Sequence, residues 1–155
     1  MLSDEQIQSL VLAAKLVSQQ QLTDAKASAK TVGRSLEETL VEKGVVTPET
    51  LGKTIADSLN LPYVSLTKLQ IPEEVINLIP PRMAKKYKMV AFSQTDGILN
   101  VAAQDTPNAE ILEMLTRKTG LKIVVHYTSS RDMENAMQFY QKDIQKIAKK
   151  IPVLP

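Results

Sequence analysis

Between Ser3 and Pro62 the chain is cut into short pieces by helix-start and helix-stop signals, and this spacing leaves no room for a long helix in its first third. Ser3 and Gln6 have the spacing of a capping box, in which each side chain satisfies the other residue's free backbone amide. Ile7, Leu10, Val11 and Ala14 then follow on one helical face. A second helix is predicted from Thr23-Asp24, rich in alanine (Ala25, Ala27, Ala29) and ending around Val32-Gly33. Ser35 and Glu38 repeat the capping box, Leu36 and Leu40 make a short apolar stripe, and Gly44 stands where a helix end turns left-handed. Thr47-Pro48-Glu49 restarts the helix: Thr caps, Pro takes the first position without losing a needed N–H, and Glu complements the positive end. Leu51, Ile55 and Leu59 stack along this last piece. Leu16-Val17 with Leu22-Thr23 matches Leu40-Val41 with Val46-Thr47 at an offset of 24 residues, which predicts a duplicated helical unit.

After Leu61 the pattern changes. Tyr63-Val64-Ser65-Leu66 alternates as a strand, Pro72-Glu73-Glu74 opens a short helix through Ile79, and Pro80-Pro81 starts another from Arg82 to Tyr87. Met89–Phe92 and Ile98–Ala102 read as strands joined by Asp96-Gly97, the strongest hairpin dipeptide in the chain. Pro107-Asn108 leads into a helix carrying Ile111, Leu112 and Leu115 and closed by Gly120. Ile123-Val124-Val125 is continuously apolar, as a central strand would be. Ser130 is expected to cap a last helix with Met133, Ala136, Met137 and Tyr140 inward. The predicted fold is α+β: a helical subdomain over 1–60, a small α/β subdomain over 61–142 with a three- to four-stranded sheet, and a basic tail or linker over 143–155.

The chemistry available is narrow. The 155 residues include no cysteine and one histidine, so disulfides, thiolate catalysis and cysteine-ligated zinc are excluded, and no metal or cofactor is expected. His126 reads as a structural or surface residue near a strand end, because a metal site or a histidine-based triad needs partners the chain does not have. Glu37, Glu38, Glu49, Glu73 and Glu74 sit on capped helix starts, where helix-dipole complementarity accounts for them without catalysis. Neither phosphate-binding glycine pattern occurs. The acidic N-terminus lacks a signal peptide's character and no run reaches membrane-spanning length, which predicts a soluble cytoplasmic chain. Net charge is +2, and no basic stripe with interleaved aromatics suggests nucleic acid. Arg82, Lys85, Lys86 and Lys88 form a cluster able to meet an anion, a phospholipid head group or an acidic partner, although the solvated face of a short helix is the simpler reading. Met83, Met89, Met114, Met133 and Met137 read as core.

Two stretches carry a family resemblance. Residues 35–66, SLEETLVEKGVVTPETLGKTIADSLNLPYVSL, resemble the N-terminal domain of type II secretion and type IV pilus assembly ATPases, whose helical unit runs into a Leu-Pro-[Tyr/Phe]-Val segment. The stretch from Pro80 to Val125, with its hairpin and an Asp105-Thr106-Pro107-Asn108 turn, is similar to the second half of that domain. The resemblance covers about residues 7–142 and implies a non-catalytic docking or regulatory domain, peripheral to the inner membrane through its partners. Those partners would be the cytoplasmic domains of platform or adaptor proteins and the motor domain of the same chain, with Arg82, Lys85, Lys86 and Lys88 as candidate contacts. Some family members bind cyclic di-GMP through two 24-residue motifs, R-L-G-x-x-L-x-x-x-G-x-L-x-x-x-x-L-x-x-x-L-x-x-Q. Here Leu36, Leu40, Gly44, Val46, Leu51 and Ile55 match the apolar and second glycine positions, while Ser35, Glu37 and Ser58 replace Arg, Gly and Gln. Arg34 lies one residue out of register, and the upstream copy places Val11, Ala13 and Gln20 at its Arg and Gly positions. The resemblance therefore implies a motif eroded to its packing residues, with cyclic di-GMP sensing as the alternative function.

Overall fold

A computed structural model describes residues 3–138. The first half is helical: α1 (Asp4–Ala13), α2 (Gln19–Val32), α3 (Leu36–Glu42) and α4 (Pro48–Ser58). A 3-10 turn, Leu66–Lys68, leads to the short helices α5 (Glu73–Ile76) and α6 (Pro81–Tyr87). Then come β1 (Met89–Thr95), β2 (Ile98–Ala103), α7 (Ala109–Thr119), β3 (Lys122–Tyr127) and a last helix, α8, described over 130–138. The fold is α+β with a three-stranded sheet in the order β1-β2-β3. Among the described residues no helix is long and apolar enough to cross a membrane.

The expected caps at Ser3, Ser35 and Thr47 accept from backbone amides of their helices' first turns, and Asn108 does the same for α7. Ser35 acts alone, because its amide is not bonded by the Glu38 side chain as a full capping box requires. α2 starts earlier than predicted, at Gln19, with a complete Ser18–Gln21 capping box. Thr23 lies inside this helix, and its hydroxyl donates back to the Gln19 carbonyl at 2.9 Å. α8 is capped by Ser129 rather than Ser130: the Ser129 hydroxyl accepts from Asp132 N–H at 3.2 Å.

The corrected start of α2 changes the repeat. Equivalent positions lie 29 residues apart, not 24: Lys15 (φ 57°) corresponds to Gly44 (φ 70°), each closing a helix in the left-handed conformation. Leu16 N–H bonds Val11 O at 3.0 Å, and Val45 N–H bonds Leu40 O at 3.2 Å, so the same reverse turn ends both units. Ile7 and Leu36, Val11 and Leu40, Val17 and Val46, and Leu22 and Leu51 are the matching buried pairs of one helical core.

β1 and β2 form the expected hairpin across Asp96 (φ 50°) and Gly97 (φ 78°), both left-handed as a type I′ turn requires. β2 and β3 are parallel, joined by α7 as a crossover. β3 is not central: its outer side meets only an isolated bridge, with Val64 N–H donating to Tyr127 O at 2.9 Å and Tyr127 N–H to Pro62 O at 2.7 Å. The predicted strand Tyr63–Leu66 reduces to that bridge, because Leu66 already turns into the 3-10 segment. A second core, including Ile76, Ile79, Met89, Leu99, Val101, Leu115 and Met133, lies against the sheet. Met89 and Met133 are buried and Met83 and Met137 half-buried, whereas Met114 is exposed on α7. The predicted positions of Tyr140 and the 143–155 tail lie outside the described residues.

Gly52 is where α4 meets Tyr63: a Cβ there would collide with Cε2 of the Tyr63 ring. Alanine improves an open helix site by about 1 kcal/mol. Here it displaces a ring that the Tyr63–Tyr127 bridge holds, and overpacking costs about 1–3 kcal/mol. Gly52→Ala is therefore expected to lower unfolding free energy by roughly 1 kcal/mol in urea titrations; an increase would show that the contact yields freely.

Candidate functional site

The helical and α/β halves meet along a seam built by a few side chains. Tyr127 belongs to β3 by backbone pairing, yet its ring is buried in the helical core beside Leu36, Leu40 and Leu51. Tyr63 stands next to it, with ring centroids 6.5 Å apart. From the other side, α3 sends Glu37 into the seam. Ser130 meets its carboxylate with its hydroxyl at 3.3 Å and its backbone amide, and Tyr127 Oη donates at 3.5 Å. The carboxylate thus sits at the N-terminus of α8, where the helix dipole favours negative charge. Burial nevertheless dominates, pushing the Glu37 carboxyl above the ordinary range; the Ser130 and Tyr127 bonds oppose the shift and neighbouring Glu38 adds to it. Burial, then the Glu37 charge, also pushes the Tyr127 phenol up.

Next to Glu37 a cavity of about 350 Å³ is lined by Arg34, Glu38, Glu42, Arg131 and Glu134 among others. A second groove of about 520 Å³ continues past Ser35, Glu38 and Glu134 to Lys88, Gln104 and Met133. On α8, Asp132 fastens the linker: it accepts from Leu66 N–H at 2.8 Å and Ser65 Oγ at 3.3 Å. His126 points to the opposite face of β3, where its ring packs edge-on against Phe92 at 4.9 Å and Nε2 meets Asn100 Oδ1 at 3.2 Å. Burial pushes its imidazole down. Among the described residues no cluster of His, Asp or Glu could hold a metal ion.

The candidate positions from the sequence separate into two sets. Leu36, Leu40, Val46, Leu51 and Ile55 are core residues of the helical half, and Gly44 supplies the left-handed turn. Arg34 is ion-paired with Glu42. Arg82, Lys85, Lys86 and Lys88 are all exposed on α6 or at its end, with Lys86 Nζ 5.3 Å from the Tyr87 ring centroid. Lys88 lines the second groove together with Ser35 and Glu38. In the 29-residue register the upstream motif's Arg and Gly positions fall on Gln6, Gln8 and Lys15 instead of Val11, Ala13 and Gln20. The sequence pattern assigns Glu37 only a helix-dipole role, and neither Tyr127 nor Asp132 carries a signal in it: their partners lie 66 to 90 residues away.

The two-half fold and this sequence define a domain class: the chain belongs to the MshEN domain family, which it matches over residues 59–145. It is 29% identical over 130 residues to the type IV pilus assembly ATPase PilB of Thermus thermophilus, a match covering 83% of this chain and 15% of PilB. Bacteriophage adsorption protein B of Escherichia coli is 25% identical over 114 residues, covering 74% of this chain and 15% of that protein. The chain thus spans about 15% of the length of these relatives. A structure of MshE with cdg superposes with a TM-score of 0.57 at 21% identity, over 86% of this chain and 97% of that one. The N-terminal domain of XpsE gives 0.51 at 21% identity, over 89% and 96%. At this identity the two structures establish a common fold. It is a domain of the kind found in type IV pilus and type II secretion ATPases.

Tyr127 is the seam's apolar anchor and its hydroxyl contact is long. Tyr127→Ala is expected to cost about 3–5 kcal/mol, the usual loss for a buried aromatic. Tyr127→Phe is expected to cost about 1 kcal/mol or less, as one weak hydrogen bond is removed. Equal losses in denaturant titrations would move the weight of the contact onto the hydroxyl.

Proposed function

We propose that this chain is the non-catalytic docking and regulatory domain of a type IV pilus assembly or type II secretion motor ATPase. It couples that motor to the cytoplasmic domains of inner-membrane platform proteins, and ATP hydrolysis belongs to another part of the parent polypeptide. The similarity to PilB over 83% of this chain carries the reading. The exposed α6 cations support it: Arg82, Lys85 and Lys88 have no ion-pair partner among the described residues, so they are free to meet an acidic surface. Titration of the chain against purified cytoplasmic platform domains is expected to give saturable binding at micromolar concentration. The triple charge reversal R82E/K85E/K86E is expected to weaken it at least about tenfold, mainly through the association rate. Absence of binding to every platform domain at high micromolar concentration would overturn the reading, and unchanged affinity in the triple variant would move the contact away from α6.

A second reading, cyclic di-GMP sensing, is favoured by one observation, the likeness to MshE with cdg. The side chains at the motif positions argue against it. The retained leucines and isoleucine are packed in the core, Arg34 is engaged by Glu42, and a glutamate stands at the first glycine position. Calorimetric titration with cyclic di-GMP is expected to give no saturable heat, whereas saturation at one ligand per chain would establish the sensor.

A further inference from the structure

The outer side of β3 is paired at one end only. Lys122 N–H bonds Gly97 O at 2.9 Å and Thr128 N–H bonds Ala103 O at 3.0 Å, so the even-numbered residues of β3 turn their backbone groups toward β2. Tyr127 has the opposite parity, its N–H and C=O meeting Pro62 and Val64 on the outer side. By the same alternation Ile123 and Val125 point N–H and C=O outward, and neither has a partner there among the described residues. The Tyr63 bridge demonstrates that this edge receives a parallel segment. The chain before the bridge does not extend the pairing, because Asn60 (φ 56°) turns it and Leu61 N–H already donates to Ala56 O at 3.0 Å. The free donors and acceptors of Ile123 and Val125 are thus left for another strand.

The charge beside this edge selects what adds to it. Arg117 and Lys118 stand in the last turn of α7, and Lys122 opens β3; all three are exposed. None is ion-paired among the described residues, although Glu113 lies one turn earlier on α7 and Asp96 lies beside Gly97 in the hairpin. A second copy of this chain offers an edge of its own but the same three cations, so it supplies no complementary charge. We propose that the outer edge of β3 binds an acidic extended segment of a partner protein. That segment adds as a further strand through Ile123 and Val125 and meets Arg117, Lys118 and Lys122 with its carboxylates. Backbone pairing gives such a contact its affinity, and the carboxylates give it preference among partners and a faster encounter. α6 leads into β1, and β1 and β3 are the two opposite edges of the sheet, so this contact is separate from platform docking through α6.

The probe is a short capped peptide of alternating Glu and Val, titrated into the full chain and followed by amide hydrogen exchange in NMR spectra. Before addition, the Ile123 and Val125 amides are expected to exchange faster than those of Val124 and His126, which β2 holds. At saturation both should slow by at least about tenfold. Val125→Pro removes an outward N–H and no bond to β2, a placement that edge strands tolerate, and is expected to weaken the peptide by about tenfold. The triple reversal R117E/K118E/K122E changes exposed side chains only, is expected to weaken binding by a similar factor, and keeps the test decisive if the proline variant fails to fold. The α6 variant R82E/K85E/K86E is expected to bind the peptide unchanged. Equal binding of a Lys–Val peptide, unaltered exchange at Ile123 and Val125 under saturation, or loss of binding in the α6 variant would each overturn the proposal. So would dimerisation without peptide that protects the same two amides, which would assign the edge to a second copy.

Discussion

The insertion of Tyr127 into a core that is not its own holds this domain together. Its backbone completes β3, pairing with Ala103 on one side and with Tyr63 on the other, while its ring is buried in the helical core. Each half is small, about the size at which one hydrophobic core is only marginally stabilising. An aromatic shared between them couples the two cores, because withdrawing it opens both the sheet edge and the helical bundle. The remaining ties follow from its placement. Tyr63 is positioned by the same bridge and lies on Gly52, the one place on α4 without a side chain to block it. Asp132 holds the 3-10 turn that leads away from the bridge. The exposed Lys68–Glu49 pair spans the same region, where solvent leaves such a contact little energy.

The duplicated helical unit shows how closely local signals are readable and where they mislead. The caps at Ser3, Ser35 and Thr47 and the left-handed Gly44 follow from side-chain chemistry within four residues, and all of them are present. Thr23 reads as a cap because Thr-Asp resembles a start signal. Ser18-Gln19-Gln20-Gln21 carries the same Ser-x-x-Gln spacing as the first helix, and once that box forms Thr23 is a helical residue whose hydroxyl bonds backward. Moving the cap by five residues moves the repeat from 24 to 29 and places Lys15, a non-glycine residue, at the left-handed turn. Lysine bears conformational strain there that glycine avoids, so the glycine signal marks only one of the two copies.

The α/β half is legible in its elements and less so in its sheet. Asp96-Gly97 specifies the hairpin locally. The apolar run Ile123-Val124-Val125 reads as a central strand, yet β2 occupies the centre and the β3 residues are covered by other elements without a full strand beside them. An apolar run records burial and not what covers it. The seam residues leave no periodic trace at all. Glu37 and Tyr127 are 90 positions apart, and nothing in either local sequence distinguishes a surface glutamate from one held against a distant helix end. Family resemblance reaches further than periodicity here, since it identifies the domain class before any contact is known.

Glu37 also changes what the eroded motif means physically. The cyclic di-GMP motif that the resemblance implies for some family members has glycine at this position, which would leave backbone open for a ligand to approach. A glutamate instead projects across the seam and meets the hydroxyl and backbone amide of Ser130 at the start of α8. Arg34, the nearest cation to the motif's lost arginine, is correspondingly bound to Glu42. The leucines that remain, Leu36, Leu40 and Leu51, are those the helical core requires in any case. The carboxylate's desolvation cost is thus set against its bonds to Ser130 and Tyr127, whose donors favour the ionised form.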